Sequence, residues 1–167
     1  LPDERMQLTL GREGGGDFYT MKGVVEEYFD SIGMKKKTAY DPEAGKSFLH
    51  PGRQASIIYD GKVVGYLGEV HPIVCKNYDI GTRAYIAVLD MPLIVDEATF
   101  DRKYEGVAKY PAVSRDISMV VPKNILAGQI EEMIEQRGGK LLENYQLFDI
   151  YEGEQIKEGF KSMAYSI

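Results

Sequence analysis

Asp149, Tyr151 and Ser162 carry the side chains with which proteins read single-stranded RNA. A tyrosine ring can stack on a splayed base, and neighbouring polar groups can bond the base edge. A carboxylate such as Asp149 can accept from guanine N1–H and N2–H₂, and a hydroxyl such as Ser162 can donate or accept beside it. Arg115 and Lys161 are two cations that could meet phosphate. Arg115 also has Asp116 and Asp149 as candidate ion-pair partners, which would make its role structural. Lys161, at a strand start, is equally a solvated surface residue. The plain alternative for the others is a tyrosine that caps a sheet and an aspartate held in a turn hydrogen bond.

Other residue types with chemical potential find no supporting pattern. His71 and Cys75 are spaced to chelate from one helix face, and His50 lies upstream, but two histidines and one cysteine fall short of the four ligands of a structural zinc site. His71 before Pro72 reads instead as the cap of a short helix. The run Gly11–Gly16 stands ahead of a helix, yet it lacks the Lys-Ser/Thr pair of a phosphate loop and reads as a linker. No serine sits in a Gly-x-Ser-x-Gly elbow, so nucleophilic catalysis has no support. Lys35-Lys36-Lys37 follow a helix end, where cations complement the dipole.

These residues need elements to hold them, and the chain of 167 residues can bury one good core or two small ones. Phe18, Met21, Val25, Phe29 and Ile32 predict a helix from about 18 to 32, stopped by Gly33. Gln54–Tyr59 and Lys62–Val70 flank Asp60-Gly61 and predict a hairpin, with His50-Pro51-Gly52-Arg53 as a turn leading into it. Arg83–Asp90 is apolar on both faces and predicts a buried strand; Met91–Ala98 predicts a short helix. The charged stretch 99–110 marks a boundary, giving modules 1–105 and 106–167. In the second module the order is strand, helix (Ala127–Arg137, with Ile130, Met133 and Ile134), strand, strand. Alternation predicts that Ile117, Met119 and Val121, Phe148 and Ile150, and Met163, Tyr165 and Ile167 face a core. The opposite face would hold Tyr151, Asp149 and small Ser and Ala residues as a shallow open floor.

Composition argues against a broad electrostatic grip on nucleic acid. Net charge is −6, and from Ala108 onward seven Lys/Arg stand against nine Asp/Glu. Any RNA contact must therefore be local and shape-dependent. The single cysteine, Cys75, fits a reducing cytoplasm. No apolar run approaches the ~20 residues of a membrane span. The opening LPDERMQLTL lacks an initiator Met and reads as interior sequence, so a longer parent is expected.

The stretch YPAVSRDISMVV, the helix ending at Gly138-Gly139, and LLENYQLFDIYEGEQIKEGFKSMAYS together resemble the ferredoxin-fold anticodon-binding domain of the phenylalanyl-tRNA synthetase beta chain. DFYTMKG (Asp17–Gly23), HPGRQA (His50–Ala55), VVGYLGEVHP (Val63–Pro72) and RAYIAVLD (Arg83–Asp90), in that order, resemble the synthetase-like core of the same chain. The resemblance implies an α+β fold: a class II synthetase-like antiparallel sheet module, then a ferredoxin-like module cut to βαββ of βαββαβ. It implies a non-catalytic part of a beta subunit that contributes assembly and tRNA(Phe) anticodon recognition. The partners implied are tRNA(Phe) and the alpha chain, in a heterotetramer of two alpha and two beta chains. ATP and Mg²⁺ belong to the parent enzyme and to no site of this chain; Gly65-Tyr66-Leu67-Gly68-Glu69 lacks the arginine that grips ATP in active class II enzymes. The phenylalanine anticodon begins with guanine, which suits Asp149. The alternative from another class is a ferredoxin-like small-molecule-sensing or structural module that pairs edge to edge with a copy of itself.

Overall fold

The computed structural model of the chain describes residues 4–100 and 111–167. It is mixed α and β with two antiparallel sheets, one of five strands and one of three. The chain divides into two compact units, Leu1–Tyr104 and Glu105–Ile167. The boundary expected at 105/106 lies outside the described residues.

In the first unit β1 (Gln7–Glu13), β2 (Thr38–Asp41), β3 (Leu49–Tyr59), β4 (Lys62–Val70) and β5 (Ala84–Asp90) lie in the order β1-β5-β4-β3-β2. Asp60 and Gly61 both have positive φ, 46° and 78°, the pair of left-handed residues that a two-residue type I′ hairpin needs between β3 and β4. Helix α1 (Phe18–Ser31) starts with a reciprocal cap: the Asp17 carboxylate accepts from the Thr20 N–H at 2.8 Å, and Thr20 Oγ1 accepts from the Asp17 N–H at 3.1 Å. It ends in a Schellman turn, with Gly33 at φ 79°, its N–H on the Asp30 carbonyl at 3.2 Å and the Met34 N–H on the Phe29 carbonyl at 2.8 Å. Met21, Val25, Phe29 and Ile32 form the buried stripe and pack in one cluster with Ile57, Leu67, Ala87 and Leu89 of the sheet. Each of these side chains larger than alanine stabilises the fold by roughly 1.5–3 kcal/mol through lost apolar exposure. The short helices α2 (Pro72–Asn77) and α3 (Met91–Glu97) are capped by His71 Nδ1, which accepts from the Ile73 N–H at 3.2 Å, and by Asp90 Oδ1, which accepts from the Leu93 N–H at 3.4 Å.

Three segments differ from the sequence expectation. Gly11, Arg12 and Glu13 are strand rather than linker, paired with Ile86, Tyr85 and Ala84; only Gly14–Gly16 make the left-handed turn. The pairing comes from β5, a long-range partner that local composition does not report. His50–Arg53 lie inside β3, and a register irregularity between Leu49 and Gln54 absorbs them, where a preceding turn was expected. β2 pairs with β3 and carries no pattern long enough to announce it.

In the second unit β6 (Asp116–Pro122), α4 (Ala127–Gly138), β7 (Gln146–Tyr151) and β8 (Phe160–Ser166) follow one another, and β8 lies between β6 and β7. α4 lies against one face of this sheet, where Ile130, Met163 and Tyr165 are buried and Met119, Val121 and Leu147 pack around them. Met133 sits off the buried stripe, which runs through Ile130 and Ile134, and is exposed. A bulge at Phe148 resets the alternation of β7: Leu147 opposes Tyr165, and Asp149 opposes Ala164. Tyr145 and Leu147 therefore turn to the core, and Phe148 is exposed, the reverse of the strict two-residue reading. Ile150, opposite Met163, keeps the expected face but is half exposed, as is Ile117 opposite Tyr165.

Candidate nucleic-acid interface

The face of the three-stranded sheet away from α4 is built by register. Met163 and Tyr165 are buried under α4, so Ser162, Ala164 and Ser166 point the other way. Residues directly opposite one another share a face. Tyr151 opposes Ser162, Asp149 opposes Ala164, and on the far side Val120 opposes Ser162 and Ser118 opposes Ala164. The structure thus brings Asp149, Tyr151 and Ser162 onto one face. The bulge at Phe148 lies before Asp149 and leaves the alternation Asp149, Tyr151 intact.

The floor of that face is small and hydroxylic. Ser118 and Ser162 hydroxyls are 3.3 Å apart, and Ser114 and Ser166 hydroxyls 2.9 Å apart. Tyr151, 43% exposed, stands above this floor at the β7 side. Its hydroxyl lies over Gly153, so close that a Cβ at 153 would collide with the phenol end of the ring. Among the described residues no hydrogen bond engages the Asp149 carboxylate, and the residue is exposed.

Arg115 and Lys161 are not part of this group. Arg115 exchanges both backbone hydrogen bonds with Ile167, at 2.7 and 2.8 Å, and Ile167 packs with the core under α4. Its guanidinium donates to the Ser114 carbonyl at 2.9 Å rather than to Asp116 or Asp149. Lys161 opposes Val121, another residue of the α4-side cluster. Period-two alternation puts both cations on the opposite face from Tyr151, a consequence of strand parity that proximity in sequence to Asp116 and Ser162 conceals.

Two residues that the sequence reading passed over belong to the open face. Phe160, opposite Pro122, shares the parity of Ser162 and places a second ring on this side, with Lys157 Nζ 5.7 Å from its centroid. Its distance of two from Ser162 was the available signal. Gly153 has no side chain to suggest a role; its value lies in the space it leaves for Tyr151. Tyr145 and Tyr165 of the same unit serve its core. Burial raises the Tyr165 phenol to about 12. Tyr145 is raised by burial first and then by its 2.7 Å hydrogen bond to Glu135. Both stay protonated at neutral pH.

The other candidates resolve into structure. Among the described residues no group of three or more His, Cys, Asp and Glu could hold a metal ion. His71 caps α2, and the Cys75 thiol points to the Val70 carbonyl at 3.8 Å. Gly65 and Gly68 lie inside β4, where a Cβ would strike the Val88 and Arg53 carbonyls; they permit close strand packing and do not form a loop around phosphate. Among the described residues no helix is long and apolar enough to cross a membrane.

Comparison with known proteins gives two family matches. Residues 4–91 match the phenylalanyl tRNA synthetase beta chain CLM domain, and residues 108–167 match the ferredoxin-fold anticodon binding domain. Among curated proteins, the phenylalanine–tRNA ligase beta subunit of Clostridium acetobutylicum is 41% identical over 167 residues, 100% of this chain and 21% of that protein. The same subunit of Clostridium tetani is 40% identical over 167 residues, with the same coverage. That of Bacillus subtilis is 39% identical over 163 residues, 98% of this chain and 20% of that protein. The chain spans about a fifth of the length of these relatives.

Proposed function

This chain belongs to the phenylalanyl-tRNA synthetase beta-chain family, and on that footing we propose that it is the non-catalytic part of a phenylalanine–tRNA ligase beta subunit that supports subunit assembly and reads the tRNA(Phe) anticodon. The parent reaction joins phenylalanine to its tRNA with ATP and Mg²⁺. Among the described residues no group of three or more His, Cys, Asp and Glu could hold a metal ion, and the Gly65–Gly68 segment is strand interior.

In this reading residues 1–105 form an inactive class II synthetase-like module that packs with an alpha chain in a complex of two alpha and two beta chains. Residues 106–167 form the anticodon-binding module. One observation carries the second assignment: Tyr151 and Ser162 are direct cross-strand neighbours on an uncovered sheet face, with Asp149 on the same face of the same strand. Tyr151 stacks on a splayed anticodon base, Asp149 accepts from the Watson–Crick edge of the first anticodon guanine, and Ser162 bonds beside it. Arg115 and Lys161 receive no base contact, because they lie on the α4 side. The reading gives specificity without a basic surface, in keeping with a net charge of −6.

The test is Tyr151→Ala in the full ligase, with tRNA(Phe) binding and phenylalanine activation measured separately. Loss of about 1–3 kcal/mol in tRNA affinity is expected, the worth of one stacked base. Activation of phenylalanine without tRNA stays unchanged. An unaltered tRNA Michaelis constant overturns the assignment.

A further inference from the structure

A cleft of about 670 Å³ opens in the first unit, with Val70, Cys75 and Ile80 in its apolar lining and several charged residues in the rest. That volume is in the range of small-molecule sites, roughly 300–1,000 Å³. At its base lies Glu69, a carboxylate that is only 3% exposed. A buried charge of this kind persists only when it is paired. Arg53 Nη1 meets both Glu69 oxygens at 3.1 and 2.9 Å, and Arg83 Nε stands 3.9 Å from Oε1.

The two guanidinium groups converge on one carboxylate, so the trio keeps a positive charge at the base of the cleft. Lys76 and Asp79 complete the charged lining, where three Lys and Arg side chains face two carboxylates. This local excess stands in a chain whose net charge is −6. Arg83 is the telling residue. Its side chain is 68% exposed and it contributes little to burying Glu69, which Arg53 already satisfies. Among the described residues no hydrogen bond engages the Arg83 guanidinium or the Lys76 ammonium.

We propose that this cleft is a binding site for a small oxyanion-bearing molecule, whose carboxylate or phosphate group is held by Arg53, Arg83 and Lys76 and whose short apolar body lies on Val70, Cys75 and Ile80. Glu69 is the positioning residue: its two hydrogen bonds hold the Arg53 guanidinium at the cleft, and its charge attracts Arg83 to the same place. The site is in the five-stranded unit and is independent of the anticodon reading on the other sheet.

The test is an amide-resolved NMR titration of the 167-residue chain with inorganic phosphate and, separately, with propionate, at ionic strength held constant with chloride. Saturable shifts at residues 53, 69, 76 and 83 are expected with at least one probe. Stronger binding of phosphate assigns the site to phosphate esters, and stronger binding of propionate to carboxylic acids. Arg83→Gln, at an exposed position, should leave the melting temperature unchanged and weaken binding about tenfold, the usual worth of one charge-assisted hydrogen bond. Shifts that never saturate with either probe, or saturable shifts indifferent to Arg83→Gln, overturn the proposal. Tyr151→Ala should leave the titration untouched, so failure here and failure of the RNA reading are separate results.

Discussion

The five-stranded unit and the three-stranded unit use the same elements to opposite ends. The first buries Phe29, Met34, Ile57, Leu67 and Leu89 completely between α1 and its sheet. In the second, Ile130, Met163 and Tyr165 are the buried side chains among the described residues, while Ile117, Phe148 and Ile150 remain about half exposed. A single helix of 12 residues covers one face, and the other face is left to Tyr151, Asp149 and serines. One sheet is organised around a core and offers a cleft at its end. The other accepts a thin core and offers a whole face. Stability should therefore reside in the first unit and sequence reading in the second.

The largest expected effects test the core half of this contrast. Phe29→Ala should cost about 3–5 kcal/mol in urea unfolding of the first unit, because a filled interior cannot collapse around the lost ring. Met163→Ala in the second unit should cost about 2 kcal/mol, the low end for such truncations, since a thin core relaxes or hydrates. Hydrogen exchange resolved by unit separates the two, and equal costs would break the comparison. Arg53→Met comes next. It strands the buried Glu69, and about 2 kcal/mol should be lost, less than the 3–5 kcal/mol of a fully buried pair because Arg53 is partly solvated.

Smaller effects sharpen the face half. Gly153→Ala should leave the fold intact, since the atom it meets is the free end of the Tyr151 ring. It should nevertheless weaken anticodon binding about threefold to tenfold by moving that ring, and add nothing in a Tyr151→Ala background. Additive losses would show that Gly153 acts apart from Tyr151. The smallest effect is at the start of α1. Backbone and side-chain hydrogen bonds from Thr20 hold the Asp17 carboxyl below its usual value. A lowered folded-state value means that the stabilisation is present above the unfolded value near pH ~4 and is lost as pH falls through the folded one. Helix signal at the first turn should fade in acid, and Asp17→Asn, which caps without titrating, should remove that pH dependence.

Much of this architecture is legible in local sequence because local physics decides it. The α1 stripe, the Asp60-Gly61 hairpin and the His71 cap each rest on residues within a few positions of one another. Asp149, Tyr151 and Ser162 could be grouped by alternation, and the register brings them together. What alternation misplaced is Phe148, because a bulge adds a residue that no composition marks. Arg115 and Lys161 stand beside Asp116 and Ser162 in the sequence, but a strand sends adjacent side chains to opposite faces.

Residue types and short-range spacing settle which segments are helices, where most of them begin and end, and which side chains are able to read RNA. Long-range pairing settles the rest. That Gly11–Glu13 become an edge strand depends on β5, more than 70 residues away in the register Gly11↔Ile86. That Glu69 meets Arg53 and Arg83 depends on how β3, β4 and β5 align, and that Tyr151 has room to lie where it does depends on the turn that places Gly153 beneath it. Side-chain chemistry is written residue by residue, whereas a site needs distances between residues far apart in the chain, and those are fixed only when the sheet closes its register.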